Sequence, residues 1–162
     1  MTLREAREGD LEFLQRLTQT PGWLANIGPR GTETREGALA YLERSFLTPY
    51  REYGYGLWVV EVEGLAVGLS GIVRRPAAPN PDLGYALLPE FEGRGYATQA
   101  GARVLEWARN RGEWTCLDAY TAVGNEASDA VLRRLGFTDL GIGFPEAFPD
   151  EESRIWRISL AR

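Results

Sequence analysis

"EFEGRGYATQA", Glu90 to Ala100, sets two glycines around an arginine and then runs into a helical pattern. A strand, a glycine-containing loop and a helix start together make a physical anion site. The first amides of a helix have no internal partners, and the macrodipole turns its positive end toward the loop. Glycine lets the backbone approach a ligand with no side chain between them. The same residues also suit a plain tight turn with close helix packing, and Gly-x-Gly by itself does not choose between the two.

The nucleotide-binding readings fail in detail. If Gly93 and Gly95 are the first two glycines of a dinucleotide fingerprint, Thr98 falls where Gly or Ala is needed for close helix packing. The strand also comes midway through the chain, after a hairpin. A P-loop needs Gly-Lys-Ser/Thr, and this chain has no lysine: all 18 basic residues are arginine. That absence also excludes Schiff-base chemistry. Histidine is absent too, which removes Ser-His-Asp and Cys-His catalysis and the commonest metal ligand. No metal site is expected.

Outward from the turn, the chain reads as a mixture of helices and strands. Upstream, Asp10 is placed to cap a short helix with Phe13, Leu14 and Leu17 on one face. A polar stretch from Pro21 to Gly31 follows. Ala38, Tyr41, Leu42, Ser45 and Phe46 then keep the spacing of a buried helical stripe. GLWVVEVEG and LAVGLSGIVRR, parted by Gly64, read as an antiparallel hairpin. Pro76 to Pro81 breaks it, and Asp82 to Leu88 is a further strand leading into the turn. Downstream, a helix over Gly95 to Arg111 carries Ala97, Ala100, Gly101, Val104, Leu105 and Ala108 on one face. Its small residues let it lie close to a sheet. Thr115 to Thr121 reads as a strand and Asn125 to Leu135 as a helix ended by Gly136. SRIWRISL closes the chain as a last strand. This order predicts an α+β, mixed α/β fold, neither bundle nor sandwich.

At 162 residues, with no repeat or linker, the chain is expected to form a single domain over 1–162. No apolar run reaches the ~20 residues of a membrane span, and MTLREAREGD lacks the hydrophobic stretch of a secretory signal. The one cysteine, Cys116, allows no internal disulfide and points to a reducing cytoplasm. The formal charge of −5 argues against general nucleic-acid binding, which needs a basic face.

Residues Glu92 to Ala97, EGRGYA, resemble the acyl-CoA-binding motif of the GNAT superfamily of N-acetyltransferases, written [QR]-x-x-G-x-[GA]. Gly95-Tyr96-Ala97 meets its end, while Glu92 departs from the usual Gln or Arg. In the subgroup resembling ribosomal-protein N-acetyltransferases that position varies, and runs like Leu88-Pro89-Glu90-Phe91-Glu92-Gly93-Arg94-Gly95-Tyr96-Ala97 are familiar. Asp82-Leu83-Gly84-Tyr85 looks like the subgroup's D/E-I-G-Y strand. Asn125-Glu126-Ala127-Ser128 with Leu135-Gly136-Phe137 is similar to its N-x-x-S…L-G-F segment. Trp23, Asn26-Ile27-Gly28 and Arg30 look like its W-x-x-N-I-G-x-R loop. Four motifs in order cover most of the chain.

The resemblance implies a GNAT-like fold: a central, mostly antiparallel twisted sheet splayed by a wedge between the Asp82–Leu88 and Thr115–Thr121 strands and flanked by helices. It implies acetyl-CoA as co-substrate, with pantetheine on the backbone near Leu87 and Leu88. The pyrophosphate would meet Gly93, Arg94, Gly95, Tyr96, Ala97 and Thr98, and Asn125 would meet the pantetheine arm or serve as an N-cap. The implied reaction is direct attack of a primary amine on the thioester, with a strand-end N–H stabilising the oxyanion. The tyrosine that many members place seven residues after the Asn is Leu132 here. The subgroup often has a serine three residues after the Asn, which implies Ser128 as proton donor; the same serine also reads as a small residue hydrogen-bonded in the first turn. Asp82, at the mouth-side start of its strand, or Glu146, in the loop GIGFPEAFPDEESR, would serve as base directly or through water; either also reads as an ordinary surface charge. Trp23, Asn26, Arg30 and Tyr85 would border the acceptor, a protein N-terminus or a small-molecule amine such as a polyamine. The alternative is a non-catalytic acyl-CoA-binding sensor that kept the cradle and lost the chemistry. An exposed C-terminal strand would allow a homodimer.

Overall fold

The computed structural model describes all 162 residues. Strand β1 (Thr2–Glu5) is followed by helices α1 (Leu11–Thr18), α2 (Pro21–Asn26) and α3 (Arg35–Leu42). A π-helical turn over Glu43–Leu47 joins α3 to α4 (Thr48–Tyr53). Then come β2 (Leu57–Val62), β3 (Leu65–Val73), β4 (Asp82–Leu87), α5 (Tyr96–Arg111), β5 (Cys116–Ala122), α6 (Glu126–Leu135), β6 (Thr138–Gly143) and β7 (Ser153–Ser159). The expected hairpin is β2–β3, turned by Glu63 and Gly64 at φ 51° and 82°. Positive φ at both central residues is what a twisted two-residue hairpin turn requires.

Four elements lie outside the expected succession: β1, α2, α4 and β6, with α2 falling inside the polar stretch read from Pro21 to Gly31. The strands among them are short or glycine-broken, and both helices are only six residues long, too short to show periodicity. Asp10 departs from its expected role. Its side chain makes no cap hydrogen bond to α1; it accepts instead from the Arg4 guanidinium at 2.9 and 2.8 Å and from the Arg7 N–H at 2.9 Å. Caps are provided by Thr20 on α2, Thr34 on α3 and Asn125 on α6.

The seven strands form one sheet in the order β1-β2-β3-β4-β5-β7-β6. Every neighbouring pair is antiparallel except β4–β5, which is parallel and registers at one position, Asp82 opposite Asp118. On either side the pairing is continuous: β3–β4 holds from Val73–Asp82 to Gly68–Leu87, and β5–β7 from Cys116–Ser159 to Ala122–Ser153. The two halves of the sheet therefore meet at one point and part beyond it. One face of the first half is covered by α1 to α4, around Leu14, Leu17, Phe46, Val59 and Leu69. The opposite face packs on α5 and α6, around Val104, Leu117, Leu132 and Trp156.

The Arg4–Asp10 pair gives stability a pH signature. Burial alone would raise the Asp10 carboxyl, but hydrogen bonds from Arg4 and the Arg7 amide, with the nearby positive charge, hold it below its ordinary value. A group depressed in the folded state stabilises above its unfolded pKa and loses that contribution as pH falls through the folded one. Asp10→Asn is expected to lower stability at neutral pH and to flatten the loss on acidification below the ordinary carboxylate range. Urea unfolding across that range checks it; an unchanged acid limb would count against the pair.

Candidate active site

The site is built around the parting of β4 from β5. Leu88 donates its N–H to the Val67 carbonyl on β3 at 2.8 Å. In an antiparallel strand a residue's N–H and C=O face the same side and alternate along the chain. Leu87 and Tyr85 therefore turn theirs toward β5. Asp118 reaches back to the Pro81 carbonyl at 3.0 Å, but no further register pair joins the strands. The peptide groups of Tyr85 and Leu87 line an unpaired strand edge. Leu88 contributes none: its N–H is used on β3 and its carbonyl accepts from Phe91 at 3.0 Å. Of the two residues expected to present backbone there, only Leu87 does.

At the open end the chain makes a short 3₁₀ turn, Pro89–Phe91, and passes through Gly93 and Gly95 into α5. Both glycines have positive φ, 74° and 82°, and Gly95 is the N-cap residue. With no side chain on the cap, the first amides of this 16-residue helix have no partner from it. The Arg94 guanidinium lies over the Phe91 ring at 5.4 Å, and Arg16 of α1 pairs with Glu90, tying the first helix to this loop. Glu92 is exposed. Tyr96, Ala97 and Thr98 form the first turn of α5, half-buried.

Across the gap stands α6. Asn125 caps it through the side-chain oxygen, which accepts from the Ser128 N–H at 3.4 Å. Ser128 is joined to β4 by Tyr85, whose Oη lies 2.5 Å from Ser128 Oγ and 3.1 Å from the Ser128 carbonyl. Burial raises the Tyr85 hydroxyl to about 12, so it is protonated at neutral pH. The next residue, Asp129, is held by β5: Thr121 donates to it at 2.7 Å and Trp156 Nε1 donates to Thr121 at 3.1 Å. Leu132 is fully buried in the core. Nothing in the sequence pointed to the Thr121–Asp129–Trp156 chain, whose members lie on three elements with no shared motif.

Asp82 lies at the closed end of the gap rather than at its mouth. It is 2% exposed, and Arg75 donates to its two oxygens at 2.9 and 3.2 Å. Burial raises its carboxyl and the neighbouring Asp118 adds to that, against the pull of Arg75. Asp118 is gripped by Arg157 at 2.6 and 3.1 Å. Both carboxylates thus clamp the point where the two half-sheets meet, a role that neither shows in the sequence. Glu146 is exposed on the β6–β7 connection. That loop folds back toward the clamp: Phe148 packs edge-on against Tyr120 at 5.4 Å, and the Arg75 guanidinium stands over its ring at 4.4 Å.

The Trp23–Arg30 loop is built mainly by packing. Trp23 is 6% exposed in the core, and its Nε1 donates to the Gly28 carbonyl at 2.8 Å. Asn26 turns back to the Gly22 carbonyl at 3.0 Å, and Arg30 rests over Trp23 at 5.9 Å. The structure brings Tyr85, Leu87, Asn125 and Ser128 to the gap. It sets Asp82 at its closed end and Glu146 on a separate loop.

A sheet parted between two parallel strands, with a glycine turn and a helix start at its open end, can hold an extended chain ending in an anion. Comparison with known proteins agrees with this geometry. A family profile for the acetyltransferase (GNAT) domain matches residues 1–138. A Bacillus subtilis (strain 168) protein provisionally named ribosomal N-acetyltransferase YdaF is 38% identical over 60 residues. That match spans 37% of this chain and only 33% of the relative's length. An acetyltransferase from Agrobacterium tumefaciens strain C58 superposes with a TM-score of 0.80 at 25% identity, over 97% of this chain and 89% of that one. RimL, a ribosomal L7/L12 alpha-N-protein acetyltransferase in complex with coenzyme A, shares the fold at TM-score 0.80 and 20% identity, over 97% and 92% of the two chains. The parted sheet and the profile match over most of its length lead to one assignment: the chain belongs to the GNAT acetyltransferase family.

Proposed function

We propose that this acetyltransferase moves the acetyl group of acetyl-CoA to a primary amine by direct attack, and that a protein N-terminus or a small-molecule amine is the acceptor. The observation that carries it is the unpaired β4 edge at Tyr85 and Leu87 leading to the Gly93–Gly95 turn. The pantetheine arm pairs with that edge as an added strand would. The pyrophosphate takes the free amides from Gly93 to Thr98, with Arg94 beside them. Asn125 uses its oxygen as a cap, so its amide N–H groups are left for the pantetheine. The Leu87 N–H stabilises the oxyanion and Ser128 serves the departing sulfur. Of the two candidate bases, Glu146 is preferred, since both oxygens of Asp82 are engaged by Arg75. Trp23, Asn26 and Arg30 border the acceptor side. The names of YdaF and RimL support a ribosomal-protein N-terminus as acceptor, and the lone Cys116 suits a reducing cytoplasm.

Acetyl-CoA at a hundred times its dissociation constant should stabilise the fold by about 2.7 kcal/mol, seen as a rise of several degrees in melting temperature. Thiol release should follow on adding N-terminal peptides or amines, with the acetylated product read by mass spectrometry. Stabilisation without release by any acceptor would turn the assignment toward a sensor. No stabilisation would remove the cradle.

A further inference from the structure

Strands β4 and β5 each grip α6, at the same level of the gap. Counting from the one register pair, Asp82 with Asp118, Tyr85 and Thr121 stand three residues further along their strands. Both project toward the α5–α6 side, as do Leu83 and Leu117 in that core. Thr121 holds Asp129 and Tyr85 holds Ser128, two consecutive residues of the first turns of α6. The Tyr85–Ser128 contact therefore crosses the gap, linking the diverged β4 to a helix anchored on β5. Nothing in the packing requires a hydroxyl there, because a phenylalanine ring would fill the same space.

We propose that Tyr85 is a positioning residue for acetyl transfer, acting through Ser128 to set where the serine proton points. This rests on the acetyltransferase reading with Ser128 at the leaving sulfur. Tyr85 has one proton and two acceptors in reach on Ser128, the carbonyl at 3.1 Å and Oγ at 2.5 Å. When Tyr85 donates to the carbonyl, Ser128 donates to Tyr85 and its proton is occupied. When Tyr85 donates to Oγ, the Ser128 proton is free for another acceptor. A sulfur gaining negative charge selects the second arrangement, and a chain of two hydroxyls donates more strongly than one. In the transfer step the amine nitrogen bonds to the acetyl carbon and the C–S bond breaks, its electron pair leaving with sulfur. Sulfur takes the Ser128 proton and the Tyr85 proton follows onto Oγ. The proton lost from the amine goes to the base, which releases it to solvent, and Tyr85 recovers one from solvent, so that no net proton is gained or lost over the turnover.

The test is a double-mutant cycle of Tyr85→Phe, Ser128→Ala and the pair, following thiol release from acetyl-CoA with an accepted amine. Tyr85→Phe should lower kcat about tenfold or more and Ser128→Ala about a hundredfold, with KM for acetyl-CoA moved less than about threefold in each. In the double variant the tyrosine change should add nothing to the serine change. Full kcat in Tyr85→Phe, or effects that multiply in the double variant, would overturn the proposal while leaving the enzyme assignment standing. No thiol release by the wild-type protein with any amine would overturn both. Melting curves show whether each variant is folded; should Tyr85→Phe unfold, Tyr85→Leu, which also removes the hydroxyl, takes its place alone and combined with Ser128→Ala, and full kcat or multiplying effects again overturn the proposal.

Discussion

Gly95→Asp is expected to weaken coenzyme A binding by two orders of magnitude or more while the protein still folds. Gly95 has a φ of 82° at the start of α5, where an L-residue costs about 1–2 kcal/mol. Space is not the obstacle: a Cβ there would come no closer than 3.7 Å to the Gln99 side chain. Electrostatic repulsion is the greater cost. A carboxylate about 4 Å from a pyrophosphate oxygen costs about 4 kcal/mol at an effective dielectric constant near 20, and each 1.4 kcal/mol is tenfold in affinity. Gly95→Ala separates backbone strain from charge repulsion, since it carries the backbone cost alone and should lose about 1–2 kcal/mol of stability with a much smaller change in affinity. Titration calorimetry with coenzyme A, beside thermal unfolding, measures both. A folded Gly95→Asp protein that binds coenzyme A as tightly as the wild type would show that the pyrophosphate lies elsewhere.

Trp156→Ala should produce the largest loss of stability. Trp156 is fully buried in β7 beneath α6, with the Arg133 guanidinium 5.3 Å from its ring. Truncating a buried tryptophan costs about 3–5 kcal/mol through lost burial and the cavity left behind, which for a chain of this size lowers the melting temperature by roughly 10 °C. Its Nε1 also supports Thr121, which holds Asp129, so the damage reaches the turn of α6 that carries Ser128. Trp156→Phe keeps most of the volume and removes that hydrogen bond, and should cost about 1–2 kcal/mol. Denaturant unfolding of the three proteins is the check. A loss below about 1 kcal/mol in Trp156→Ala would mean that α6 is held by other contacts.

The parts of this protein legible in its sequence are those whose cause is local. The β2–β3 hairpin follows from two β-rich runs parted by Gly64, α5 from its apolar stripe, and α6 from Asn125 at its start and Gly136 just past its end. The glycine turn and the Asn125–Ser128 cap are legible for the same reason. Where the cause lies far away in the chain, the sequence misleads or falls silent. Asp10 looks like a helix cap because a cap is the local option for aspartate; Arg4, brought beside it by folding, binds more strongly. Asp82 looks like a mouth-side base, yet Arg75 and the facing Asp118 make it part of a buried clamp. Strand β6, with two glycines in six residues, forms because β7 offers it a partner.

Periodicity, caps and glycine positions depend on neighbours within a turn or two of chain. The amino-acid order alone therefore settles the succession of most helices and strands, the glycine turn at Gly93–Gly95 and the family resemblance. Which edges go unpaired is settled only when distant strands meet. Two continuous half-sheets touching at Asp82–Asp118 leave the Tyr85 and Leu87 peptides without partners. The same splay lets a tyrosine on β4 reach a serine 43 residues away on α6. The gap and the hydroxyl pair across it belong to the tertiary structure, because both exist only as distances between elements that no local preference can specify.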